Sequence, residues 1–266
     1  MPEGPEIRRA SDALAAAVIG RPLRSVHFAP PALQKYEDEL VGQCIESITP
    51  HGKALLIRFE GGLTMYSHNQ LYGIWKVAAA GKRPKTTRSL RVAFETDDKA
   101  ILLYSATDIS MWPTKDVHKH PFLAGLGPDV LDESLTSAEV AERLRAPRFA
   151  GRGLPALLLQ QAFLAGMGNY LRSEVLFRAK IAPQQRPRDL GKRQITALSK
   201  ALLVVPRESY RSRNKRGAHG AVTRTADAFR FRVFDRAGLP CEVCDTAIKR
   251  EELASRRLYW CPQCQV

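Results

Sequence analysis

Nowhere do the 266 residues hold an apolar run of the roughly 18 residues that a bilayer-crossing helix needs. The opening MPEGPEIRR carries charge where a secretory leader would be apolar. The chain is therefore expected to be a cytoplasmic globular protein with reduced thiols and no membrane partner. Cysteine is scarce, five in all, and only Cys44 lies ahead of Cys241. A disulfide framework is thereby excluded for most of the chain, and Cys44 reads as a small core residue. No internal repeat or low-complexity tract is present, which argues against a solenoid. Acidic residues are also short, 27 against 41 Lys and Arg, leaving a net charge of +14. That imbalance points to a polyanionic partner.

What is present is concentrated at the two ends. Cys241, Cys244, Cys261 and Cys264 form a C-x2-C-x16-C-x2-C array, the spacing with which four thiolates surround one tetrahedral zinc ion. Two disulfides are the alternative and would need an oxidising compartment. Four thiolates leave no open coordination position for water, so the metal is expected to be structural and no catalytic metal is expected. Just ahead of the array, Arg207, Arg211, Arg213, Lys215, Arg216, Arg224, Arg230, Arg232 and Arg236 gather cations in one stretch. Zinc and positive charge together suggest nucleic acid, bound with steep salt dependence.

Between the ends, the pattern changes once. Gly4, Pro5 and Gly20 bracket a helix over 5–19 with Ile7, Ala10, Leu14 and Val18 on one face. From 21 to 112 the chain reads as strands, including 54–60 and 63–67 about Gly61-Gly62, and 90–95 and 100–104 about Asp97-Asp98. Short strands at this spacing predict a two-layer β-sandwich. After a polar linker the apolar period becomes helical. Thr136 or Ser137 caps a helix over 138–145, helices follow over 154–165 and 170–179, and Asp189 caps another from 190 to about 205. Residues 211–228 are expected to form a mobile basic loop.

The N-terminus offers chemistry of its own. Removing Met1 would expose the secondary amine of Pro2, which can attack an electrophilic carbon and form an iminium. Glu3 stands at the positive end of the first helix, placed to move protons, and Glu6 is either a supporting carboxylate or an ordinary first-turn residue. Lys53 follows Gly52 at the mouth of a strand. Asn169 sits where a helix N-cap is expected, a position that offers backbone N–H groups to a phosphate.

The segments MPEGPEIRRA, HGKALL, YSHNQLYG, LLYSATDI, HPFL, GPDVL, QAFLAGMGNYLRSEVLF and YWCPQC span almost the entire chain. Together they resemble the bacterial endonuclease VIII branch of the formamidopyrimidine-DNA glycosylase superfamily. PEGPEIR stands where the sibling branch typically has PELPEVE. The resemblance implies an α+β multidomain fold: a catalytic β-sandwich with an N-terminal helix over 1–124, a linker over 125–135, a helix-two-turn-helix domain with a basic loop over 136–228, and a zinc-finger hairpin over 229–266. It further implies a bifunctional DNA glycosylase and AP lyase of base excision repair, a monomer acting on damaged double-stranded DNA, chiefly at oxidised pyrimidines. Pro2 would be the nucleophile and Glu3 the acid and base, with Glu6 in support and Lys53 and Arg256 at the reacting sugar and phosphates. Asn169 would contact the backbone, and Gln70, Leu71 and Tyr72 would fill the gap left by an extruded nucleotide. Relatives often carry a DNA-contacting arginine after HPFL, where this chain has Ala124-Gly125, so that contact is expected to be missing. The alternatives are a formamidopyrimidine-type glycosylase for oxidised purines and a non-catalytic zinc-containing DNA-binding protein.

Overall fold

The computed structural model describes residues 2–212 and 229–266. Most of the expected basic loop, 213–228, lies outside the described residues. The chain divides into two compact units, Met1–Gly125 and Leu126–Val266.

In the first unit, α1 (Gly4–Val18) is followed by β1 (Ser25–Phe28), β2 (Ile45–His51), β3 (Ala54–Phe59), β4 (Leu63–His68), β5 (Ile74–Ala79), β6 (Leu90–Glu95), β7 (Lys99–Tyr104) and β8 (Asp108–Pro113). They make two antiparallel four-stranded sheets, ordered β1-β6-β7-β5 and β2-β3-β4-β8. Side-chain alternation explains the layering. Leu55, Ile57 and Phe59 of β3 face a core shared with Val92, Phe94, Ile101 and Leu103 of the other sheet, while Ala54 and Leu56 face the opposite way. That opposite face is covered by Trp112, Val117, Phe122 and Leu123, so both faces of β3 are dry. The helix ends as its glycine implies: Gly20 is left-handed, with φ 73°. Ile7, Leu14, Ala17 and Val18 enter the sandwich core, and Ser11 Oγ donates to the Ile48 carbonyl of β2 at 2.8 Å. The helix thus rests on the strand that leads into the Gly52-Lys53 turn.

The second unit packs α2 (Ser137–Arg145), α3 (Asn169–Ala179) and α4 (Lys192–Arg211) around one core, with a terminal hairpin β9 (Lys249–Leu253) and β10 (Arg256–Trp260). Thr136 caps α2 with a reciprocal capping box to Glu139. Three expectations change here. The run 154–165 is helical only over Leu154–Leu157, after which Leu159, Gln160 and Phe163 donate to carbonyls three residues back. The Arg143 guanidinium donates to the carbonyls of Phe163 and Ala162, and the Gln161 side chain bonds Leu159, Gly166 and Met167. Asp189 belongs to a short 3-10 turn, and Gly191 precedes α4, which runs on through Pro206 to Arg211. Asn169 is the first residue of α3 rather than its cap, which is Gly168.

Tyr170 to Leu176 is buried on every side of α3, Arg172 and Glu174 included. Arg172 donates to the carbonyls of Pro155, Leu253 and Arg256, so it staples the hairpin to the helical core. Glu174 accepts from the backbone N–H groups of Arg232, Val233 and Phe234. Burial pushes its carboxyl up while those three N–H groups pull it down. No helix among the described residues is long and apolar enough to cross a membrane.

Candidate functional site

At the N-terminus, Pro2 and Glu3 lie at the start of α1, with Glu3 only 4% exposed and its backbone extended at φ −107°. Three hydrogen bonds lock the Glu3 backbone: its carbonyl accepts from Glu6 N and Ile7 N, and its own N–H donates to Glu6 Oε2 at 3.0 Å. The other Glu6 oxygen takes the Arg9 guanidinium at 2.7 Å. Glu6 thus closes the capping box of α1 on the residue next to Pro2 and pairs with Arg9 one turn on, as a first-turn carboxylate does.

Lys53 occupies the two-residue turn between β2 and β3, where Gly52 supplies the positive φ of 61° that a tight hairpin requires. Its neighbour Ala54 pairs with His68 at the end of β4, so the lysine stands beside the strand that leads into Gln70-Leu71-Tyr72. Burial, and then the charge of Lys53, hold the His68 imidazole below its ordinary value of 6.5, against an opposing pull from Asp108. Neutral His68 accepts the Gln70 N–H on Nδ1 at 3.0 Å. Protonation would put a hydrogen on that acceptor and release the loop. The sign follows from linkage: His68's contribution to stability is complete above 6.5 and is lost as pH falls through the depressed value. Chemical denaturation at about pH 7.5 and about pH 5 should show a larger loss of stability for the native chain than for His68→Gln.

The segment after β4 stands clear of the sandwich. Leu71 is 58% and Tyr72 69% exposed, and Gln70 is left-handed at φ 49°. Gly73 closes the loop by donating to the Asn69 carbonyl at 2.7 Å, and a Cβ at Gly73 would lie 2.6 Å from that oxygen. The Arg88 guanidinium holds the Tyr72 carbonyl. Buried Asn69 and exposed Arg88 carried no signal of this role in the sequence.

In the second unit, the Asn169 side chain donates to the Arg257 carbonyl at 2.9 Å, and its buried Oδ1 has no hydrogen-bond partner among the described residues. A cleft there is lined by Asn169, Glu252, Ser255, Arg256 and Arg257. Two cations and the start of α3 converge on it, with Glu252 as a countercharge. Arg256 is exposed and opens β10 directly after the turn Ala254-Ser255, both left-handed at φ 56° and 55°. Such a turn favours Asn-Gly, and neither residue here is Asn, Asp or Gly, the types that adopt positive φ most readily. Ser255→Gly should raise the urea midpoint of the zinc-loaded protein, by about 1 kcal/mol in stability. Arg172, which bonds the Leu253 and Arg256 carbonyls beneath this cleft, was not anticipated, although charges inside the apolar run LRSEVLF were a visible clue.

The sulfur ligands of Cys241, Cys244, Cys261 and Cys264 all lie within 4.8 Å of one another, with separations of 3.4 and 3.9 Å across the cluster. Sulfurs at the corners of a zinc tetrahedron with ~2.3 Å bonds stand about 3.8 Å apart. Thr246 holds the Cys244 thiol low, at about 6, whereas burial and then the neighbouring sulfurs push Cys264 up. Four thiolates cannot ionise together at this spacing without a cation, so the donor set fits zinc.

Comparison with known proteins follows the same division. Residues 1–107 match the formamidopyrimidine-DNA glycosylase N-terminal domain, 126–216 the H2TH domain of that enzyme, and 238–266 the zinc finger found in FPG and IleRS. Endonuclease 8 of Escherichia coli is 52% identical over the full length of both chains. The chain belongs to the endonuclease VIII family. Other members of the family, from Salmonella agona and Pectobacterium atrosepticum, are each 53% identical over the full length of both chains. Wild-type Lactococcus lactis Fpg (MutM), solved with DNA containing an oxidised pyrimidine, shares the fold at a TM-score of 0.84 with 22% identity and 99% coverage of both chains. MutM with DNA containing carbocyclic 8-oxo-G gives the same score, identity and coverage. For an endonuclease VIII family member the cysteine cluster is the zinc finger, a structural site closed by four sulfurs.

Proposed function

We propose that this member of the endonuclease VIII family is a bifunctional DNA glycosylase and AP lyase of base excision repair, acting as a monomer in the cytoplasm on damaged double-stranded DNA, chiefly at oxidised pyrimidines. The observation that carries the reading is Pro2, whose amine would be freed by removal of Met1, one residue from a buried carboxylate whose backbone is held by three hydrogen bonds.

With Met1 removed, Pro2 carries a secondary amine, the nucleophile in its neutral form. Its lone pair bonds to C1′ of the damaged nucleotide as the C1′–N bond breaks, and the base departs with that electron pair and takes up a proton. The amine loses its proton. Glu3 delivers a proton to the ring oxygen, which opens the sugar and leaves the iminium. The cation makes the C2′ proton acidic. Its removal expels the 3′ phosphate by breaking the C3′–O bond, and a further proton loss expels the 5′ phosphate. Water then adds to the iminium carbon and restores the amine.

The remaining residues grip and distort the strand. Lys53, Arg256 and Asn169 meet phosphates, Lys53 as a charge on a tight turn, Arg256 as a charge directly after one, and Asn169 at the start of α3. Leu71 and Tyr72 enter the stack where the nucleotide has left, with Gln70 meeting the orphaned base. The zinc ion held by the four cysteines would rigidify the hairpin that carries Arg256.

Borohydride reduction tests the reading. A damaged or abasic duplex should yield a covalent protein-DNA adduct in near-stoichiometric amount, and 5-hydroxyuracil should be excised faster than 8-oxoguanine opposite cytosine, by about ten-fold or more. No adduct with fully processed protein would sink the amine mechanism. The reverse lesion preference would move the chain's activity to oxidised purines.

A further inference from the structure

The strand β8 begins directly after Thr107, on the turn that follows the left-handed Ser105 at φ 54°. The Thr107 hydroxyl donates to Gln70 Oε1 at 2.8 Å. The amide it holds sits on a backbone already fixed at φ 49° and anchored through its N–H to His68. Gln70 is therefore constrained at its backbone and at the far end of its side chain. An amide has two unlike ends. With Oε1 taken by the hydroxyl, the end left facing outward is Nε2 and its two hydrogens.

We propose that Thr107 is a positioning residue that presents the donor end of the Gln70 amide to an acceptor on the orphaned base. The inference rests on reading Gln70-Leu71-Tyr72 as the wedge, and it adds a residue and a polarity to that reading. A free glutamine on an exposed loop loses rotamer freedom when it meets a ligand, and its amide must choose between two faces. The threonine contact makes both choices before DNA arrives. The recognised feature is an acceptor on the Watson–Crick edge, such as the ring N1 of adenine.

Three duplexes separate the possibilities, each with an abasic site opposite adenine, opposite 1-deazaadenine, which lacks that acceptor, or opposite a tetrahydrofuran residue, which lacks a base. For the native chain, kcat/KM opposite adenine should exceed the other two by about five-fold, the size of one hydrogen bond. Thr107→Val should collapse the adenine value onto the tetrahydrofuran value, and Thr107→Ser should restore the difference. A Thr107→Val variant that loses activity equally on all three duplexes has suffered a structural defect only, which overturns the proposal. A native chain that treats adenine and 1-deazaadenine alike overturns the donor polarity. Gln70→Ala reports on the underlying reading: if it keeps the native adenine preference, the wedge assignment of Gln70 fails and the proposal with it. If Gln70→Ala loses the preference while Thr107→Val keeps it, the wedge assignment stands and Thr107 is excluded.

Discussion

A protein carrying a non-removable N-terminal extension ahead of Pro2 should form no borohydride adduct and should cleave an abasic duplex at least roughly 1,000-fold more slowly, the order expected when a covalent nucleophile is removed. The extension converts the Pro2 amine to an amide, whose lone pair is delocalised into the carbonyl. Little else should change. Glu3 is held by bonds within α1, and α1 is held by the sandwich core and by Ser11 on β2. Thermal stability and binding to an uncleavable abasic analogue should therefore stay within about two-fold of the native protein. Proteolytic trimming back to Pro2 should restore both trapping and cleavage. Full activity with the extension in place, verified by intact mass, would mean that another group attacks the sugar.

Removing zinc should produce a second large loss, in DNA binding, by another route. The core around the finger is small, comprising Val233, Cys241, Ile248, Tyr259 and Cys261, and two of those five are the metal's own ligands. Without the ion the thiols repel or protonate, and a core of that size cannot hold a hairpin. Arg256 then loses its place, because its position depends on the β9-β10 register and on the Arg172 and Asn169 bonds to hairpin carbonyls. Chelation or Cys261→Ser should weaken binding to damaged duplex by at least about 100-fold at physiological salt, as phosphate contacts are lost together. The Pro2 amine should be untouched, so reductive alkylation by a small aldehyde should proceed at the native rate. Retained DNA binding after verified zinc loss would refute the scaffold role; a slowed aldehyde reaction would tie the metal to the nucleophile.

Much of the molecule could be read from local pattern. Gly20, Gly52 and Gly62 occur where positive φ is needed, and the strands they delimit pair in the antiparallel ladders that alternation implied. The capping box at Thr136 and the cysteine spacing were equally local signals. Failures occurred where side chains from elsewhere compete for the backbone. The helix expected over 154–165 stops at Leu157, and the turns beyond it are held by side chains, Arg143 on the Ala162 and Phe163 carbonyls and Gln161 on Leu159. Asn169 looked like a cap, yet its amide reaches Arg257, far along the chain.

The sequence by itself set out the candidate reactive parts: a proline whose amine would be exposed by removal of Met1, beside a carboxylate; a lysine on a glycine turn, singled out by the family resemblance; and four sulfurs spaced for one metal. Each is set by neighbours in the chain, so no knowledge of packing was needed to see it. Tertiary structure decided how those parts are held. The depression of His68 by burial and Lys53, the threonine that orients Gln70, and the buried arginine beneath the finger all depend on residues distant in sequence. Burial and long-range hydrogen bonds exist only once the sheets and helices have packed, and they turn a set of suitable groups into a site with fixed geometry.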